Sequence, residues 1–131
     1  MNPKKRDRFD AILEQVLAEL PPAVHRLLDE VPLYVEDYPS RKIAREMGAE
    51  SPDDLCGLYT GVPLTERRAD EPQPVPDVIT VYREGILALV EEEHGRISTK
   101  ALREEIRKTV LHELAHYHGI DEDELWDLGY G

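Results

Sequence analysis

Residues 112–116 read His112-Glu113-Leu114-Ala115-His116, two imidazoles four positions apart with a carboxylate directly after the first. On an α-helix that spacing is one turn, so both rings stand on one face and can converge on a single metal ion from a rigid support. The chemistry such a pair supports is zinc-assisted hydrolysis. Zinc lowers the pKa of a coordinated water toward about 7, and a carboxylate at position 113 can take up its proton and later pass it to a leaving amine. A shuffled chain of this composition would contain the pattern roughly 0.02 times, and roughly 0.001 times with a glycine also required three residues after the second histidine. Gly119 meets that requirement, so chance is a minor explanation.

A helix that must return its chain toward a metal needs a residue tolerant of positive φ at its C-terminal end, the role open to Gly119. Asp121, Glu122 and Asp123 follow at once, and any one carboxylate can complete the protein's share of a tetrahedral site. The competing reading is a solvated acidic tail, since most residues from Asp121 to Asp127 are acidic.

The helical wheel bears on Glu113. At about 100° per residue with His112 at zero, Leu102, Ile106, Tyr117 and Val110 fall between roughly 80° and 160°, and Glu113 falls at about 100°. A carboxylate on that core-facing arc loses hydration, which raises its pKa and favours a base role over a surface ion pair with Lys or Arg. The histidines, at roughly 0° and 40°, border the arc where a cleft can reach them, whereas His118 lies away at about 240° and reads as a surface or capping residue. His25 and His94 lack partners at useful spacing. Trp126, with Leu125 and Leu128, reads as an apolar anchor for the C-terminal turn.

The metal helix is predicted from about Thr99 to His118, capped by Ser98. Phe9, Ile12, Leu13, Val16, Leu17 and Leu20 recur at helical spacing, with Asp7 as the expected cap and Pro21-Pro22 as the stop. Val24, Leu27, Leu28 and Val31 repeat that spacing in a second short helix that Pro22 opens and Pro32 ends. Leu33–Tyr38, Leu55–Tyr59 and Asp77–Tyr82 are the strand candidates, giving a small sheet of about three strands. A charged helical turn is expected at Arg41–Met47 before Gly48, a helix around Ile86–Val90 ending near Gly95, and a last acidic turn at Asp121–Leu128. Glu66–Pro76, with Pro72, Pro74 and Pro76, reads as an exposed loop.

The 131 residues suit one domain spanning the whole chain, 1–131. Sixteen Lys and Arg against 28 Asp and Glu give a net charge of −12, which repels phosphate backbones and anionic lipid. Nucleic acid and membrane are therefore poor partners, and the Lys4-Lys5-Arg6 cluster with Arg8 reads as a frayed, solvated terminus. Cys56 is the sole cysteine, so neither an intramolecular disulfide nor a thiolate zinc cluster can form, and an inert buried thiol is expected. The longest aliphatic run, Ile86–Val90, is far short of a membrane span. These features lead to the expectation of a cytoplasmic, soluble protein; a monomer and a peptide or protein substrate are the further expectations.

The sequence resembles the small prokaryotic zincin-like metallopeptidases, the minimal zincins. Beyond Val110–Leu125, the likeness rests on Val35-Glu36-Asp37, on Gly57-Leu58-Tyr59 through Thr65-Glu66-Arg67, and on Ile79 through Tyr82-Arg83-Glu84. The resemblance implies an α+β domain with a small mixed sheet, a metal-bearing long helix and the signature H-E-x-x-H-x-x-G-x-x-D. Carried onto this chain, that signature implies zinc ligands at His112 and His116, the general base at Glu113, the turn glycine at Gly119 and the third zinc ligand at Glu122. Glutamate replaces the usual aspartate there, and its extra methylene shifts the turn slightly or hands the role to Asp121 or Asp123. The implied activity is zinc-dependent peptide hydrolysis, with an extended peptide adding to a sheet edge for which Leu55–Tyr59 is the candidate. The alternative is a non-catalytic, zinc-stabilised peptide- or protein-binding module, against which the retained Glu113 argues because a structural site needs no base.

Overall fold

A computed structural model describes residues 1–68, 76–119, 122–125 and 127. The first helix, α1 (Pro3–Glu19), starts earlier than expected. The cap is Asn2, whose side chain accepts from the Lys4 N–H, and Pro3 occupies the first helical position, where its missing donor costs nothing. Asp7 lies inside the helix, and the basic cluster is helical rather than frayed, with Lys4, Lys5 and Arg8 solvated as expected and Arg6 and Arg8 tied to other elements. Arg6 pairs with Asp37 at 2.6 Å, and Arg8 donates to the Ile97 carbonyl and the Thr99 hydroxyl.

The expected short helix follows as α2 (Pro22–Glu30), then β1 (Leu33–Glu36) and α3 (Arg41–Glu46). The next elements are β2 (Gly57–Thr60), a 3-10 turn at Leu64–Glu66 and β3 (Val78–Tyr82). Helices α4 (Arg83–His94), α5 (Thr99–His118) and α6 (Glu122–Leu125) complete the described elements. The expected loop at Glu66–Pro76 lies largely outside the described residues. This is the α+β architecture with a mixed three-stranded sheet. Its order is β1-β3-β2, with β1 parallel and β2 antiparallel to the central β3.

Helix α5 is bounded as its local chemistry requires. The Ser98 hydroxyl accepts from the Ala101 N–H at 3.1 Å, and Gly119 closes the helix at φ 76°. Its buried stripe of Leu102, Ile106, Val110, Leu114 and Tyr117 packs on the sheet and on α1 and α4. Phe9, Val24, Ile79, Val81, Ile86 and Val90 complete a core in which each is fully buried.

One charged network runs through this packing. Arg83, at the start of α4, holds Asp10 of α1 through two bonds of 2.8 and 3.0 Å and Asp37 at 2.8 Å. Asp37 also binds Arg6, and the Arg6 guanidinium, ahead of Arg83, holds its carboxyl below the usual aspartate range despite partial burial. Among the described residues, no helix is long and apolar enough to cross a membrane.

Candidate active site

The last two turns of α5 carry the histidine pair. His112, Glu113 and His116 each offer a ligand atom, and the three lie within 4.8 Å of one another. The two rings stand 4.5 Å apart between centroids at 60°, both exposed, while Glu113 is only 5% exposed. Glu113 thus sits on the core side and the imidazoles at its rim, the arrangement expected from the wheel.

Strand β2 closes the site from the sheet side. The Cys56 carbonyl accepts from the Tyr82 N–H at 2.8 Å, so by antiparallel alternation Leu58 and Thr60 also pair with β3. The backbone groups of Gly57 and Tyr59 therefore face the other edge, and the Tyr59 N–H donates to the Glu113 carboxylate. Burial pushes the Glu113 carboxyl above the usual glutamate range. The neighbouring His116 and His112 and the Tyr59 N–H partly oppose that rise. A carboxylate oxygen of Glu113 also lies 3.2 Å from His116 Nδ1. Among the described residues, the ion-pair contact of Glu113 is thus with His116 rather than with a Lys or Arg.

The close approach of β2 depends on Gly57. A Cβ there would meet Thr109 Cγ2 at 2.8 Å, the Thr80 carbonyl oxygen at 3.2 Å and Glu113 Cγ at 3.3 Å. Gly119 has two roles, since its φ of 76° turns the chain and a Cβ would overlap the Thr65 hydroxyl of the 3-10 turn. Beside His116, the Tyr117 hydroxyl donates to Glu30 at 2.9 Å, and its ring meets Tyr59 edge-on with centroids 5.9 Å apart. Tyr59 in turn donates to Asp77, which also pairs with Arg67.

Glu122 opens α6, three residues after Gly119, but its side chain lies outside the described residues, as does Asp121. Asp123 is described and exposed. The anchor expected of Trp126, Leu125 and Leu128 also falls outside the described side chains. His118 is half-buried in the last turn of α5, and His25 Nε2 lies 2.6 Å from the Leu17 carbonyl oxygen. Cys56 is partly buried, and burial, with the charges of Glu105 and Glu113, pushes its thiol up to about 11, as suits an unreactive cysteine.

The donor set suits zinc. Two solvent-reachable imidazoles on one rigid helix face, with ligand atoms within 4.8 Å, could serve as two of the three protein ligands that a catalytic zinc site takes. Asp121, Glu122 and Asp123 follow the turn at Gly119 in the sequence and are the candidates for a third.

His94, which sequence spacing leaves alone, gains partners through tertiary packing. Glu93 and His94 from α4 and Glu105 from α5 bring ligand atoms within 4.8 Å of one another. Neither this cluster nor the part played by Gly57 carries a local sequence signal.

Residues 28–131 match the zincin-like metallopeptidase family. The chain belongs to that family, a membership that suggests a hydrolase of the metallopeptidase class with zinc as the expected metal. The match starts within α2, leaving α1 outside it. A search of the curated proteins finds no match for this chain.

Proposed function

We propose that this protein is a zinc-dependent peptidase in which Glu113 is the general base. The observation that carries this reading is a carboxylate 5% exposed beside two exposed imidazoles one helical turn apart. His112, His116 and a carboxylate after Gly119, with Glu122 the assigned residue, would hold the metal. When bound, the zinc would supply Lewis acidity toward the scissile carbonyl and would lower the pKa of water.

Glu113 does the proton work. Its carboxylate accepts a proton from the attacking water and delivers it to the leaving amine nitrogen, and the burial that raises its pKa favours that base role. The Tyr59 N–H holds the carboxylate in place. Because β2 is an edge strand, an extended peptide pairing along it would lie beside the histidines.

The test is hydrolysis of a peptide library by the zinc-loaded protein and by Glu113→Gln. Cleavage by the native protein alone supports the reading. Zinc binding with no cleavage by either protein would favour the non-catalytic module.

A further inference from the structure

The histidine site opens into a cavity of about 260 Å³ between α4 and α5. His112, Glu113 and Thr109 line one part of it, Cys56 and Leu89 a wall, and Glu93, Glu105 and Lys108 the rest. Its volume is below the roughly 300–1,000 Å³ of a whole small-molecule site, so it suits a single side chain. Glu105 precedes His112 by two helical turns, roughly 10 Å along the axis. A side chain entering beside the histidines must therefore be long to reach the carboxylates.

The chemistry at that end calls for a cation. Glu105 is 6% exposed, and burial, with the Glu93 carboxylate, raises its pKa. His94 lies in the same cluster as these two carboxylates, and the ion pair of Glu105 among the described residues is with Lys108, whose Nζ is 3.7 Å away and whose side chain is 70% exposed. That is a loose, easily displaced partner for a desolvated carboxylate. Across Cys56 and Leu89, a second cavity of about 280 Å³ continues the acidic lining with Asp53, Asp54 and Glu92.

We propose that the cavity beside the metal site is a specificity pocket for a lysine or arginine side chain of the substrate peptide. Thr109, Cys56 and Leu89 would flank its methylenes, and Glu105 and Glu93 would hold its charged end in place of Lys108. Only these two residue types combine the required length with a positive charge. The proposal rests on the peptidase reading, and binding measurements separate the two.

Zinc-loaded Glu113→Gln protein is titrated by fluorescence anisotropy with a labelled alanine-rich hexapeptide carrying one lysine, and with its norleucine counterpart. The expected result is about tenfold tighter binding of the lysine peptide, the scale of a hydrogen bond to a charged group. Adding Glu105→Gln should bring the two peptides within about twofold of each other. Adding the exposed Lys108→Met should instead strengthen lysine binding about threefold, a readout that survives if the Glu105 variant fails to fold. Equal binding of the two peptides, a lysine preference that survives both Glu105→Gln and Glu93→Gln, or weaker lysine binding in Lys108→Met overturns the proposal. So does a second zinc ion per chain lost in Glu105→Gln, which assigns the cluster with His94 to a cation. A lysine preference that depends on Glu105, in a protein whose native form cleaves neither peptide, upholds the pocket and rejects hydrolysis.

Discussion

Replacing Gly57 by alanine tests the packing of β2 on the metal helix, because two effects there have opposite signs. Gly57 does not have a positive φ, so alanine is compatible with the backbone, and loss of unfolded-state entropy alone would stabilise the protein by about 0.4–1 kcal/mol. Against this, the new Cβ would lie 2.8 Å from Thr109 Cγ2 and 3.2 Å from the Thr80 carbonyl oxygen. Thr109 is 7% exposed and β-branched, and Thr80 belongs to the central strand, so neither can yield without moving β2 or α5. Overpacking of this kind costs about 1–3 kcal/mol. Displacing β2 also stretches the Tyr59 N–H bond to Glu113, a charged hydrogen bond worth about 1.5–3 kcal/mol. The packing terms win, with a net loss of about 1.5–5.6 kcal/mol if that bond is lost outright. At roughly 3–5 °C per kcal/mol for a chain of this size, calorimetry should show a clear drop in Tm. Peptidase activity should fall further than stability, since Glu113 loses its positioning donor. Adding Thr109→Ser, which removes the clashing methyl, should restore part of the lost stability. A Gly57→Ala protein as stable as the native one, or a double variant no better than the single, would refute this account of the packing.

Glu113→Gln should abolish peptide hydrolysis while leaving zinc content and Tm nearly unchanged; activity equal to native in a single-turnover assay would remove Glu113 from the mechanism. The protein should bind about one zinc ion per chain, and elemental analysis should show that ion lost in His112→Ala and His116→Ala. In a zinc competition titration Glu122→Ala should weaken binding more than Asp121→Ala or Asp123→Ala, and a larger loss in either aspartate variant would move the third ligand to that residue. The lowered pKa of Asp37 means that its contribution is complete above the ordinary aspartate range and is lost as pH falls through the folded-state value, below about pH 4. Asp37→Asn should therefore destabilise the protein by about 1–3 kcal/mol at pH 7 by leaving the buried Arg83 short of a partner, and the difference from native should shrink in acid melts.

The metal helix was legible from end to end because everything that bounds it is local. Ser98 caps it, Gly119 releases it, and the 3.6-residue period places Glu113 with Val110 and Tyr117 on the inward arc and the histidines at its rim. The opening of α1 was just as local, but its signal is Asn2-Pro3, a cap followed by a first-turn proline, rather than Asp7. The three strands could be placed approximately from their branched and aromatic residues, yet the order β1-β3-β2 could not. Periodicity says which face of a strand is buried and nothing about which strand lies beside it.

Only the tertiary structure decided what surrounds the helix. It brings Tyr59 to Glu113 and makes Gly57 a contact point. It also joins Arg6, Asp10, Asp37 and Arg83, and sets Glu93 and His94 of α4 against Glu105 of α5. Hydrogen bonding within a helix links residues four apart and leaves its mark in the sequence. Contacts between elements depend on how the chain packs around its core, and no single segment records that packing.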